Sequence, residues 1–132
     1  MPKRVLVLDD DAAVLATLEH LLKRWGHEIA LAETAAKGFA LADSHAFDLL
    51  ISDLVMPEED GVAVIRRFRA RFPELPIIAM SGGARLGTPD TLAAAREAGA
   101  NALLKKPFTV DTLAAAIEAA AIGIRRSDGV RS

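Results

Sequence analysis

Four apolar runs in this chain end in side chains that handle charge. VLVL at 5–8 is followed by Asp9, Asp10 and Asp11, LLIS at 49–52 by Asp53, IIAM at 77–80 by Ser81, and ALL at 102–104 by Lys105 and Lys106. Clustered carboxylates suit magnesium, which takes oxygen ligands, keeps several waters and uses one or two carboxylates beside phosphate oxygens. Beside such a cation a carboxylate can act as nucleophile toward phosphorus and form an aspartyl phosphate. An ammonium and a hydroxyl suit the remaining phosphoryl oxygens. This chemistry needs one meeting point for groups spread along most of the sequence.

The elements that could bring them together are legible. Strands are expected at 4–8, 28–32, 48–52, 76–80 and 102–105, mostly as continuous apolar runs of the kind covered on both faces. Val14, Leu15, Leu18, Leu21, Leu22 and Trp25 recur at helical spacing, as do Val64, Ile65, Phe68 and Phe72. Thr34, Thr88-Pro89 and Thr109 read as helix starts, and Gly26 and Gly99 as stops. Strict alternation of strand and helix implies right-handed βαβ units and an α/β doubly wound, five-stranded parallel sheet. In such a sheet the carboxyl ends of the strands share one edge, where ligands bind.

Each candidate residue also has a plainer role. Three adjacent Asp residues at a strand-to-helix junction include one natural cap, Asp11, leaving Asp9 and Asp10 as a surplus acidic pair. Asp53 could be a turn residue, yet it would lie beside two further carboxylates, with coupled and raised pKa values in the absence of a cation. Lys105 and Lys106 alternate across a strand, so only one faces the site, and Pro107 biases Lys106 toward an extended backbone and admits a cis peptide. His20, His27 and His45 lack metal-ligand spacing and read as surface residues. Trp25 is expected to pack at the end of the first helix. Arg66, Arg67, Arg69 and Arg71 read as a solvated helix face, and Glu58, Glu59 and Asp60 as an acidic turn.

Composition narrows the class. A chain of 132 residues, 52% hydrophobic, supports one domain with a real core. A net charge of −2 gives no bulk case for nucleic acid or an acidic membrane surface, and the absence of cysteine excludes disulfides, thiolate catalysis and Cys-based zinc sites. No apolar run reaches the roughly 18 residues of a membrane span, and MPKR leads straight into a strand without a signal-peptide core. The expected location is the cytoplasm. The expected organisation is one domain at 1–122 and a short frayed tail at 123–132.

Together these residues resemble the receiver domain of two-component response regulators, the CheY-like family, over residues 4–122. The acidic pair falls on Asp9 and Asp10, the phosphoacceptor on Asp53 within ISDLVMP, the hydroxyl on Ser81, and the lysine on Lys106 within KPF; Gly61 fits the family's loop. The resemblance implies a flavodoxin-like strand order 2-1-3-4-5. It also implies magnesium held by Asp10, Asp53 and the Val55 backbone carbonyl, with Asp9 acting largely through water. A histidine kinase or phosphotransfer protein would deliver the phosphoryl group, Lys106 and Ser81 would hold its oxygens, and inward movement of Ser81 would bias the domain to its active form. Such a protein is a signalling module that catalyses only its own phosphorylation and dephosphorylation. The expectation is a stand-alone regulator acting on a protein target, with no direct nucleic-acid or membrane binding and with room for a phosphorylation-dependent homodimer.

Three features depart from the family pattern. Leu103 stands where an aromatic is usual, Val55 and Gly83 stand where polar side chains often flank the attacking water, and GARLGTPD lengthens the loop before the fourth helix. Slow loss of the phosphoryl group is the expected consequence of the second. Two rival readings are a phosphatase resembling the haloacid dehalogenase superfamily, with Asp9 as nucleophile, and a receiver-like adaptor that works without phosphorylation. The first leaves Asp53 unexplained, and the complete acid, hydroxyl and lysine set argues against the second.

Overall fold

The computed structural model describes residues 3–56, 59–82 and 89–131. Along the chain run β1 (Arg4–Leu8), α1 (Ala12–Arg24), β2 (Glu28–Ala32), α2 (Ala35–Ser44), β3 (Leu49–Asp53), a short ribbon of β4 (Val55–Met56) and β5 (Glu59–Asp60), α3 (Gly61–Arg71), β6 (Ile77–Gly82), α4 (Pro89–Ala98), β7 (Ala102–Lys106) and α5 (Val110–Arg131). The large sheet is ordered β2-β1-β3-β6-β7 and all four of its pairings are parallel. Counting its five strands alone, this is the expected order 2-1-3-4-5.

Alternation along the strands sorts the core into two layers. Val5, Val7, Leu49, Ile51, Ile78 and Met80 face α1 and α5, where Leu15, Leu18, Leu22 and Leu113 meet them. Leu6, Leu8, Leu50, Ile77 and Ala79 face the other way, toward Val64, Ile65 and Phe68 of α3 and the small residues of α2 and α4. Phe68 is fully buried and stacks on Phe39 with ring centroids 4.1 Å apart.

The helix signals act as their chemistry dictates. Asp11 caps α1 by accepting from the Ala13 amide, and Thr34 caps α2 by accepting from that of Lys37. Thr109 accepts from Thr112 N–H at the start of α5. Gly26 (φ 88°) and Gly99 (φ 129°) follow the ends of α1 and α4 in backbone conformations that favour glycine. The Thr88 cap and the long loop over residues 83–88 lie outside the described residues, as does Glu58.

Several expectations change. β3 and β6 run one or two residues further than expected at their carboxyl ends, and β7 one residue further, because the ladder continues through Asp53↔Met80, Ser81↔Lys105 and Gly82↔Lys106. Asp53, Ser81 and Lys106 therefore belong to strands, whereas Asp9 and Asp10 lie in the loop after β1. α5 runs on to Arg131, through isoleucine, arginine and two glycines with no proline to stop it. Trp25 caps the end of α1 and is 38% exposed, so it packs less than expected. His27 is only half-buried, and its Nδ1 accepts from the Lys3 amide at 3.0 Å.

Arg69 is not part of a solvated face. Its Nη2 donates to the Gly99 carbonyl at 2.7 Å and to Asn101 Oδ1 at 2.8 Å, while Nη1 donates to the Pro73 carbonyl at 2.8 Å. Asn101 Oδ1 also accepts from the Ile77 amide, so one guanidinium ties the end of α3 to the starts of β6 and β7. Replacing Arg69 by Met should cost about 2–3 kcal/mol in urea unfolding, since it strips charged donors from half-buried acceptors. Arg69→Lys should recover little of that, because an ammonium cannot reproduce the guanidinium fork. Arg66→Met on the exposed face should stay within about 0.5 kcal/mol of wild type.

Candidate functional site

β1, β3 and β7 bring charged groups to the carboxyl edge of the sheet. After β1 the three acids part company: Asp9 is fully buried, Asp10 is exposed, and Asp11 turns back to cap α1. Asp9 Oδ1 accepts from the Asp11 amide at 2.9 Å, and its Oδ2 accepts from Lys106 Nζ at 2.8 Å. Asp53 ends β3, held in the ladder by the Leu54 amide, which donates to the Met80 carbonyl at 2.9 Å.

Lys106 reaches this cluster from β7 by crossing β6 at Gly82. A Cβ at Gly82 would sit 3.4 Å from Lys106 Cδ, so the lysine stem lies directly over the glycine. Its ammonium then stands 3.3 Å from Asp53 Oδ1. The two are paired by charge, and the buried Oδ1 receives no well-aligned hydrogen bond among the described residues.

Electrostatics follow from this arrangement. Burial, and then the charge of Asp9, push the Asp53 carboxyl up to about 6, against the pull of Lys106 and the Val55 backbone amide. Burial by itself would pull Lys106 down. Its hydrogen bond to Asp9 and the charges of Asp53 and Asp9 outweigh that and raise it above the ordinary lysine value.

One oxygen each from Asp9, Asp10 and Asp53 lie within 4.8 Å of one another. Bonds of about 2.1 Å to magnesium place opposite ligands about 4.2 Å apart, so small side-chain rotations would close this set on such a cation. The donors are hard oxygens, and Asp53 carries a buried Oδ1 that has no hydrogen-bond partner among the described residues. The residues fit magnesium. They line an open pocket of about 620 Å³ together with Asp11, Val55, Gly82 and Lys106.

A sequence model of the response regulator receiver domain matches residues 5–118. This chain belongs to that family. Among curated relatives, it is 40% identical over 116 residues to the transcriptional regulatory protein PrrA of Mycobacterium tuberculosis, covering 88% of this chain and 48% of PrrA. It is 33% identical over 123 residues to the transcriptional regulatory protein ZraR of Salmonella typhimurium, covering 93% of this chain and 27% of ZraR. The chain thus spans half or less of these relatives. Among solved structures, a CheY-like receiver domain protein from Methanospirillum hungatei superposes with a TM-score of 0.85 at 26% identity, covering 96% of this chain and 99% of that one.

Of the residues singled out from the sequence, the receiver fold brings Asp9, Asp10, Asp53, Val55 and Lys106 to one pocket, and leaves Lys105 exposed. Ser81 is buried at 4% exposure, one residue behind Gly82, and is not among the lining residues. Val55 puts a side chain 43% exposed at the rim. Gly83 lies outside the described residues. Leu103 is half-buried and lines a separate groove with Arg96, Lys105 and Thr112. The Lys106–Pro107 peptide is cis.

The acidic turn holds more than a sequence reading finds. Asp60 caps α3, accepting from the Val62 amide at 3.0 Å, and Glu59 reaches the amide of Ala35 at the start of α2 at 2.9 Å. The Asp-Gly step ahead of a helical period is a signal that could have revealed the first. Nothing local in the sequence signals the second, which links residues 24 apart. Gly61 is required by space, because a Cβ there would overlap the Leu54 backbone.

The raised Asp53 carboxyl has a stability consequence. A group whose folded value lies above its unfolded value of 3.8 favours folding fully only below that value, and the benefit is lost as pH rises through about 6. In EDTA, Asp53→Asn should match wild type near pH 4 and exceed it above pH 7 by on the order of 2 kcal/mol. Urea midpoints across that range measure the difference.

Proposed function

We propose that this domain is a phosphoacceptor switch, taking a phosphoryl group on Asp53 from a histidine kinase or phosphotransfer protein and changing its binding to a protein partner. The observation that carries this reading is Asp53 itself. It is a strand-end carboxylate on an open pocket, within reach of two further acids and one ammonium, with a buried oxygen that no donor among the described residues satisfies. Asp9 makes a poorer nucleophile, because both of its oxygens are engaged, one by the Asp11 amide and one by Lys106.

Asp10, Asp53 and the Val55 carbonyl would hold magnesium, with Asp9 acting largely through water. When bound, the cation offsets the negative charge of the carboxylates and of the phosphoryl oxygens. In the transfer, an Asp53 oxygen attacks phosphorus as the nitrogen–phosphorus bond of a phosphohistidine breaks, and the departing imidazole takes up a proton. Lys106 is already aimed at Asp53 and shifts its ammonium onto a phosphoryl oxygen, giving up part of its pairing with Asp9. The Ser81 hydroxyl donates to another oxygen after moving toward the pocket, and that movement carries the change to the surface around β7 and Leu103. In the reverse step water attacks phosphorus, the Asp53 oxygen–phosphorus bond breaks, and inorganic phosphate leaves.

The receiver unit is residues 1–122, a signalling module of the cytoplasm that turns over only its own phosphoryl group. A net charge of −2 and the engagement of Arg69 and Arg71 within the fold support output through a protein partner, a second copy included, over direct contact with nucleic acid.

Acetyl phosphate with magnesium should add one phosphoryl group, seen by intact mass, and Asp53→Asn should abolish the adduct. Undiminished labelling of that variant would move the nucleophile to Asp9. The adduct should also be long-lived. Val55 presents an apolar side chain at the pocket rim, where a polar group could orient the attacking water. Val55→Asn should speed phosphate loss about tenfold, or roughly 1.4 kcal/mol in barrier, followed by release of inorganic phosphate.

A further inference from the structure

α2 begins without an acid of its own. Its first turn reads Ala35, Ala36, Lys37, and Thr34 satisfies only the Lys37 amide. The first four amides of a helix have no partner within it, and the partial positive charge there favours a carboxylate. The missing carboxylate comes from Glu59, whose Oε2 accepts from the Ala35 amide at 2.9 Å across 24 residues of sequence.

Glu59 belongs to the same ribbon as the pocket residue Val55. In the antiparallel β4–β5 pair, Met56 stands opposite Glu59 and Val55 opposite Asp60. Met56 is buried in the core beside Ala35 and Leu54, Asp60 caps α3, and Leu54 leaves no room for a side chain at Gly61. The ribbon is thus anchored to the core and to α3 at its ends, and Glu59 supplies its bond to α2.

We infer that Glu59 is a positioning residue for the cation site, its bond to the Ala35 amide holding the ribbon so that the Val55 carbonyl faces Asp10 and Asp53. The inference rests on the magnesium reading above and adds a connection to it. Cation binding at the pocket and order at the start of α2 are coupled through one carboxylate, and by linkage each strengthens the other.

Magnesium titrations by calorimetry on wild type, Glu59→Ala and Glu59→Gln test this, with amide hydrogen exchange at Ala35 read in parallel. Glu59→Ala should weaken magnesium binding about fivefold to tenfold. Glu59→Gln, which keeps an acceptor oxygen, should recover most of the loss. Magnesium should slow exchange at Ala35 in wild type and leave it unchanged in Glu59→Ala, a response that a merely structural cap would not give. Equal affinities in wild type and Glu59→Ala, or exchange at Ala35 that ignores magnesium in wild type, overturn the inference and leave the cation site standing. Failure of wild type to bind magnesium overturns the cation reading and this inference with it.

Discussion

Two carboxylates, Asp9 and Asp53, are buried at one end of the sheet, and a single ammonium, Lys106, stands against both. Taking charges out of water costs several kcal/mol for each ion, and a close opposite charge recovers only part of that. Much of the surrounding structure serves to make this contact possible. Lys106 lies on an edge strand, two strand spacings or about 9.6 Å across the sheet from the strand that carries Asp53. Its stem crosses β6, the strand between, over Gly82. A Cβ at position 82 would touch that stem at 3.4 Å, an ordinary packing contact, so the lysine rests on the end of β6 and is not let through by a gap.

The balance at this edge is deliberately incomplete. Lys106 makes a directed bond to Asp9 and only a charge contact with Asp53, so burial and Asp9 keep the Asp53 carboxyl raised, and its Oδ1 has no hydrogen-bond partner among the described residues. A site held this way costs stability, and a ligand that offset its negative charge would restore part of it. Ligation at the pocket then bears on folding as well as on chemistry.

The loop after Asp53 shows how residues that look like ordinary turn chemistry are committed to separate structural tasks. Asp60 caps one helix, Glu59 another, Met56 enters the core, and Gly61 fits against backbone that admits no side chain. Val55, between these anchors and Asp53, pairs with Asp60 and keeps an exposed side chain. Arg69 does comparable work at the far end of the sheet, tying α3 to the segments that enter β6 and β7.

Most of the architecture and the identities of the pocket residues were legible in the sequence, for a physical reason. Strands covered on both faces must be apolar throughout, so the first charged or hydroxyl residue after each run marks an edge, and one edge is where a parallel sheet gathers such residues. Caps at Asp11, Thr34 and Thr109 are local and readable for the same cause: a helix end must satisfy its own amides. What depends on distant parts of the chain was not legible. That β3, β6 and β7 carry their ladders through Asp53, Ser81 and Lys106 follows from neighbouring strands and from no single run. Only assembly of the sheet could show that Lys106 crosses Gly82, that Ser81 sits behind the pocket wall, that Arg69 leaves the solvent, and that Glu59 caps a helix 24 residues away. Sequence pattern records the solvent each residue must meet, whereas the partner of a buried charge is decided by which strands and helices come to lie side by side.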